Sequence, residues 1–124
     1  MMLKKYINLF IKKFFGEEIE KRLIIQAKIL SKKNNKIKKI KDLSEVEFKV
    51  FSQWGEDGII EWLVDKCPNI SKNFLEIGTE NYKESNTRFL LINRNWNGFI
   101  VEANKFSVKQ IKRNGNERLR LTMP

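Results

Sequence analysis

The chain has 124 residues, enough for one small domain, and its 25 Lys/Arg against 15 Asp/Glu give a formal charge of +10. It contains no histidine, which excludes His-based triads and most zinc sites, and its single cysteine excludes an internal disulfide. The positive charge is concentrated at one end, because residues 1–50 hold 14 Lys/Arg and 6 Asp/Glu, a net of +8, whereas residues 51–124 have a net of only +2.

Residues 3–30 predict basic amphipathic helices. The first has an apolar stripe formed by Leu3, Ile7, Phe10 and Phe14, with lysines on its other side. Gly16 is expected to end it, and a second helical pattern runs on to Leu30. Two interpretations stay open: packing on a core or another subunit, which we prefer, and contact with an anionic membrane surface.

Residues 31–41, SKKNNKIKKIK, carry six lysines in eleven positions and predict a solvated linker. Nucleic acid is not expected as a partner, because no aromatic or arginine side chains are interleaved with these lysines. We therefore divide the chain into a basic helical arm and linker over residues 1–45 and an α/β domain over residues 46–124.

A cytoplasmic location is expected. No stretch approaches the roughly 20 apolar residues that a spanning helix needs, and no small-residue cleavage site follows the apolar residues of 3–15. The lone Cys67 fits a reducing compartment. Its spacing from Ile60 and Val64 predicts a buried, unreactive thiol on an apolar helix face.

The remaining pattern alternates helices and strands. Glu56 and Asp57 open a helix that Pro68 closes. The elements that follow are a strand at 73–78, a helix at 85–94, a turn at 95–98, a strand at 99–103, a helix ending near Gly115 and a strand at 119–122. Such alternation predicts an α/β domain with a parallel sheet.

A candidate ligand site lies where the first two strands end. Gly78 ends the first strand, and Glu76 lies two residues earlier on that strand. Glu102 lies at the end of the second strand, 24 residues after Gly78. This is the layout of a nucleotide-type half-site, in which a glycine turn meets the ligand and a carboxylate accepts hydrogen bonds from ribose hydroxyls. Each motif alone is weak, since lone glycines after strands and solvated glutamates at strand ends are common.

The same residues argue against a dinucleotide. The further glycines of G-x-G-x-x-G are missing, and Glu80 stands where its second glycine would be, so that a diphosphate would be repelled. A ligand with a ribose and a cationic group suits Glu76, Glu80 and Glu102 better. S-adenosylmethionine is such a ligand. No metal site is expected.

Four ordered motifs resemble the opening of FkbM-like S-adenosylmethionine-dependent methyltransferases. They are SQWGEDGII at 52–60, FLEIG at 74–78, ESNTRFLL at 84–91 and NWNGFIVE at 95–102, and the similarity runs from about Phe51 to Asn104. The resemblance implies a doubly wound, seven-stranded sheet with the cofactor across the ends of its first strands. It implies cofactor contacts from Glu76, Gly78 and Glu102, with Gln53 and Asn81 nearby and Asn86 near the site or capping the next helix.

The activity implied is methyl transfer to an oxygen or nitrogen acceptor, with a sugar of a surface glycan as the family-level substrate. No residue is assigned as catalytic base. Pro124 is reached before the rest of such a domain, so we expect a truncated, Rossmann-like but incomplete class I methyltransferase fold, with an apolar edge and face of its sheet uncovered. The alternatives are a non-enzymatic remnant or small binding module, and a basic binder of membranes or nucleic acid.

Overall fold

The computed structural model describes residues 2–124. Its elements in chain order are helix α1 (Met2–Asn34), a short 3-10 turn (Leu43–Glu45), helix α2 (Glu56–Asp65), strand β1 (Asn73–Ile77), helix α3 (Arg88–Asn93), strand β2 (Asn97–Val101), helix α4 (Lys105–Asn114) and strand β3 (Leu119–Thr122). The three strands form one parallel sheet in the order β1-β2-β3. The predicted α/β class with a parallel sheet is confirmed.

One face of this sheet is covered and the other is open. The covered face packs Ile100 of β2 against Leu91 of α3 and Ile111 of α4. Side chains alternate between faces along a strand. The opposite face therefore shows Leu75 and Ile77 of β1 to solvent, with exposures of 60% and 71%. The expected uncovered apolar face is confirmed for the described residues.

Strand β2 begins earlier than predicted, because Asn97 and Gly98 belong to it and not to the preceding turn. Gly98 pairs with Phe74 of β1 and Leu119 of β3. A Cβ atom at Gly98 would lie 2.3 Å from the Phe74 ring and 2.6 Å from the Leu119 side chain. The glycine that resembled a turn residue is therefore required by close packing inside the sheet.

The N-terminal residues form one helix and not two, so the predicted break at Gly16 is wrong. A glycine in a helix interior costs only about 1 kcal/mol relative to alanine, which the good helix formers on both sides can absorb. Within residues 2–124, no helix is both long and apolar enough to cross a membrane.

The predicted linker is also wrong in its first part, because α1 continues to Asn34 and docks on the domain. Ala27 belongs to a buried cluster with Phe48 and Phe89. Ser31 is buried, and the Asn34 side-chain amide donates to the Val46 carbonyl at 2.9 Å. The lysine-rich composition concealed these contacts, which are made by the polar residues between the lysines.

The packed side of α2 is polar at its centre. Glu61 is 2% exposed, and one of its carboxylate oxygens accepts from Ser31 Oγ at 2.7 Å, from Asn93 Nδ2 at 3.0 Å and from Arg94 Nε at 2.9 Å. Asn93 ends α3 and Arg94 follows it directly. A single buried carboxylate therefore joins α1, α2 and the end of α3.

The buried Cys67 predicted from the sequence is wrong, since this thiol is exposed. Helix α2 ends at Asp65, so that Cys67 lies beyond it. The fully buried positions of α2 are Asp57, Gly58 and Glu61 and not the apolar positions of the predicted stripe.

We expect Glu61→Ala to lower the free energy of unfolding by about 3 kcal/mol, because it removes the shorter ion pair of the largely buried Arg94, leaving only Asp65 at 3.5 Å, and the acceptor of Ser31 and Asn93. Denaturant unfolding followed by circular dichroism measures the change. Glu18→Ala is the matched control: it removes an ion pair to Lys21 on the exposed side of α1 and should leave the unfolding midpoint unchanged. Equal effects of the two substitutions would contradict the role given to Glu61.

Gly98→Ala and Gly16→Ala should have opposite effects on stability. At Gly98 the added methyl overlaps Phe74 and Leu119, so we expect a loss of about 1–3 kcal/mol. At Gly16 nothing lies within 4 Å of the new atom, and alanine should stabilise α1 by up to about 1 kcal/mol. Unfolding curves of the two variants test this directly, and an unchanged or raised stability for Gly98→Ala would contradict the described packing.

Candidate functional site

The carboxyl ends of β1 and β2 lie side by side. Gly78, the residue after β1, donates its N–H to the Val101 carbonyl at 2.9 Å, which places it beside Glu102. Gly78 has φ +72°, a left-handed conformation that favours glycine. A Cβ built on it would meet no atom within 4 Å, so the space over this turn is open.

Glu102 is nearly buried, with 6% exposure, and both of its carboxylate oxygens are engaged. One accepts from the Glu80 N–H at 2.8 Å and the other from the Asn104 N–H at 2.8 Å. Asn104 in turn caps α4, because its side chain accepts from the first N–H groups of that helix. A carboxylate has about four acceptor positions, so two remain for a ligand that can reach them.

The loop after β1 has an alternating backbone. Gly78, Glu80 and Tyr82 all have positive φ, at +72°, +49° and +61°. Left-handed residues alternating with ordinary ones turn successive N–H groups to one side and form an anion-binding concavity. In this protein the Glu80 N–H is directed at the chain's own carboxylate, Glu102. A tyrosine in this conformation is uncommon, and the surrounding contacts must hold it there.

Glu76 fastens the far end of the same loop. Its carboxylate accepts from Ser85 Oγ at 2.6 Å, from the N–H groups of Asn86 and Thr87 at 3.0 and 3.2 Å, and from Thr87 Oγ1. Thr87 and not Asn86 occupies the N-cap of α3, so the capping role considered for Asn86 is wrong. Glu76 thus holds four donors of its own chain, and its immediate function is to shape the loop.

Gln53 lies on a neighbouring loop that a third carboxylate organises. Asp57 Oδ2 accepts from three successive backbone N–H groups, those of residues 50–52, at 2.7–2.9 Å. The Phe51 carbonyl accepts from the Ser85 N–H at 3.1 Å, which joins this loop to the one held by Glu76. The Gln53 side chain itself is exposed.

Asn81 faces a different space. It lines a groove of about 710 Å³ between the first half of α1 and the α3–α4 side of the domain. Its lining includes Lys13 and Glu20 of α1, and Tyr82 and Asn114 of the domain. Glu76, Gly78 and Glu102 are not among the residues that line it. The structure thus brings three predicted site residues together at the strand ends and places Asn81 and Gln53 to either side.

The electrostatic character of the strand ends is acidic. Glu76 and Glu102 flank the open Gly78 turn, and Glu80 follows it. Burial raises the pKa of Tyr82 to about 12, and the nearby negative charge of Glu76 adds to the shift. Within residues 2–124, no group of three or more His, Cys, Asp or Glu side chains is arranged to hold a metal ion.

Sequence reasoning missed the hydroxyl residues around this site. Ser85 and Thr87 hold Glu76, and the Tyr82 hydroxyl lies 3.1 Å from Thr87 Oγ1. Thr79 Oγ1 is buried directly after Gly78, and among the described residues it has no hydrogen-bond partner. In the sequence, only the positions of Ser85 and Thr87 after Glu76 could have indicated these contacts. Serine and threonine after a strand-end glutamate are too common for that pattern to be specific.

No family model, curated protein or solved structure matches this chain. The similarity to FkbM-like methyltransferases therefore stays a prediction that rests on the four motifs and on the residues they contain.

We expect Tyr82 to make stability depend on pH in alkaline solution. Its pKa is raised to about 12 in the folded protein, against about 10 in an unfolded chain. The folded protein therefore favours the neutral Tyr82 phenol. Its contribution to the free energy of unfolding is complete below pH about 10 and is lost as the pH rises towards 12, by about 1 kcal/mol per pH unit. The measurement is the unfolding free energy of the Tyr6→Phe protein, in which Tyr82 is the only tyrosine, between pH 9 and 11.

The control carries both Tyr6→Phe and Tyr82→Phe, and the difference between the two pH dependences isolates Tyr82. Parallel curves would contradict the shifted pKa.

Proposed function

We propose that residues 46–124 form the cofactor-binding part of an S-adenosylmethionine-dependent methyltransferase with a Rossmann-like sheet. The observation that carries this proposal is the open left-handed turn at Gly78 directly beside Glu102, at the carboxyl ends of two adjacent parallel strands. In open α/β sheets, ligands bind outside the carboxyl ends of the strands. The four sequence motifs give the ligand its proposed identity.

The charge of the site supports this cofactor over a dinucleotide. Glu76, Glu80 and Glu102 would attract a sulfonium and an ammonium group and repel a diphosphate. The Glu80 N–H already donates to the Glu102 carboxylate, so this donor is not free to bind a phosphate. A ligand with hydroxyl donors, in contrast, finds acceptor capacity left on Glu102.

Glu102, Gly78 and Glu76 would each have a different role in binding this cofactor. Glu102 would accept from the ribose hydroxyls, and the turn at Gly78 would let the ligand approach the main chain. Glu76 would act through the loop that it fastens, since its oxygens already accept from Ser85, Asn86 and Thr87. When bound, S-adenosylmethionine supplies the methyl group, and the protein's part is to position sulfonium and acceptor.

We place the acceptor in the groove lined by Asn81, which directly follows Glu80 on the loop beside the strand ends. Side-chain amides both donate and accept hydrogen bonds, and the groove contains those of Asn81, Asn114 and Asn116. Such a lining suits the hydroxyl groups of a sugar. We therefore propose an oxygen or nitrogen acceptor on a glycan, modified in the cytoplasm.

A second candidate is a non-enzymatic binding module. Its support is the open apolar sheet face, where Leu75, Ile77 and Phe99 are all exposed. Exposed apolar surfaces of this kind mark interaction sites. Under this alternative the strand ends need not bind any small ligand.

Calorimetric titration with S-adenosylmethionine tests the first candidate. We expect saturable binding by the parent chain and at least about tenfold weaker binding by Glu102→Gln, because a charged acceptor for two hydroxyls is lost. Glu84→Gln is the matched control: it removes one negative charge from an exposed position of the same loop and should bind as the parent does.

The dinucleotide NAD should bind more weakly than S-adenosylmethionine to the parent chain. Absence of saturable S-adenosylmethionine binding by a parent chain that is folded by circular dichroism would overturn the cofactor proposal and leave the binding module.

A further inference from the structure

The first four turns of α1 expose almost every apolar side chain they contain. Between residues 3 and 15 these side chains each expose 44–75% of their surface. They are Leu3, Tyr6, Ile7, Leu9, Phe10, Ile11, Phe14 and Phe15. Three phenylalanine rings in this segment pair with one another, Phe10 with Phe14 at 6.4 Å and Phe14 with Phe15 at 6.0 Å between ring centroids. The interpretation preferred from the sequence is packing on a core or on another subunit; packing on the chain's own core is wrong for residues 3–15, and packing on another subunit stays a prediction.

The apolar stripe of this segment does not point at the domain. The docked side of α1 is defined by Ile24, Ala27 and Ser31, which meet the core and Glu61. At 100° per residue, the stripe of residues 3, 7, 10 and 14 lies about 100° around the helix axis from that side. Lys13 and Glu20 instead line the groove on the domain side. The docking of the second half of α1 thus directs the stripe outward.

The charge of the segment is positive only. Residues 3–15 contain four lysines, Lys4, Lys5, Lys12 and Lys13, and no acidic residue. By helical spacing, Lys4 and Lys13 lie at the two edges of the apolar stripe and the other two on the polar side. Phenylalanine and leucine on one face with lysine at the edges is the pattern of a helix that lies in a membrane interface.

The stripe ends too soon for a helix-to-helix seam. Its spacing of 4, 3 and 4 residues continues to positions 17 and 21, which are Glu17 and Lys21. Only two heptads are apolar, whereas a coiled coil needs at least about three to four. The uninterrupted apolar stripe is therefore confined to residues 3–15, a length suited to an anchor and not to a long subunit interface.

We propose that residues 3–15 bind the surface of an anionic lipid bilayer. The stripe of Leu3, Ile7, Phe10 and Phe14 enters the boundary between headgroups and acyl chains, and the lysines meet the lipid phosphates. Because α1 is continuous and docked through Ser31 and Glu61, this contact holds the domain at the membrane surface. The inference is independent of whether the strand ends bind S-adenosylmethionine.

Co-sedimentation of the full chain with lipid vesicles tests the proposal. We expect binding to vesicles of mixed phosphatidylglycerol and phosphatidylcholine, and at least about tenfold weaker binding to vesicles of phosphatidylcholine alone. The double variant Phe10→Gln/Phe14→Gln should bind the acidic vesicles at least about tenfold less than the parent. Both phenylalanines are exposed, so the variant should fold as the parent does, which circular dichroism checks.

The matched control is Ile19→Gln/Leu23→Gln, which removes two exposed apolar side chains that lie outside the segment and on the side of α1 opposite the stripe. It should stay within about twofold of the parent. No binding of the parent to acidic vesicles would overturn the proposal, as would equal binding by all three proteins. A dimer in light scattering that Phe10→Gln/Phe14→Gln dissociates, without vesicle binding, would identify a second copy of the chain as the occupant.

Discussion

The buried carboxylate of Glu61 is the contact on which the arrangement of helices depends. It takes hydrogen bonds from Ser31 on α1 and from Asn93 and Arg94 at the end of α3, in a place where an unpaired charge would be strongly unfavourable. Satisfying it decides which side of α1 faces the domain. Because a helix is rigid over several turns, the same decision sets the direction of the apolar side chains some 20 residues earlier. The buried contact between Ser31 and Glu61 thus determines the direction in which the apolar side chains of residues 3–15 point.

The candidate site shows a second use of buried and half-buried carboxylates, which is to order loops. Asp57, Glu76 and Glu102 each accept from backbone N–H groups of a loop that has no regular structure of its own. These bonds satisfy donors that would otherwise be buried without partners. Under the proposed function, Glu102 is also the carboxylate that would accept from a ligand hydroxyl. The shape of the loop after β1 and the affinity for a ligand would therefore depend on the same carboxylate oxygens of Glu102.

The order of helices and strands followed from apolar periodicity, and the proximity of Gly78 and Glu102 followed from topology, since parallel strands bring their carboxyl ends to one edge. The errors had two causes. Gly16 stays helical because good helix formers flank it, whereas the buried Asn34, hidden among lysines, is held by a distant polar contact to Val46. Local pattern also could not show that Glu76 is already engaged by Ser85 and Thr87, because those contacts depend on how the intervening loop folds back.

The hydrogen bond from the Glu80 N–H to Glu102 couples the ordering of the loop to the binding of a ligand at Glu102. A ligand hydroxyl that replaces this N–H competes with the fold for one acceptor, so that the measured affinity is a difference between two bonding arrangements. Reciprocity then requires that whatever tightens the loop around Glu102 weakens such a ligand by the same factor, and that whatever loosens it strengthens the ligand. Substitutions that change the bond between the Glu80 N–H and Glu102 without touching the ligand would for this reason change affinity.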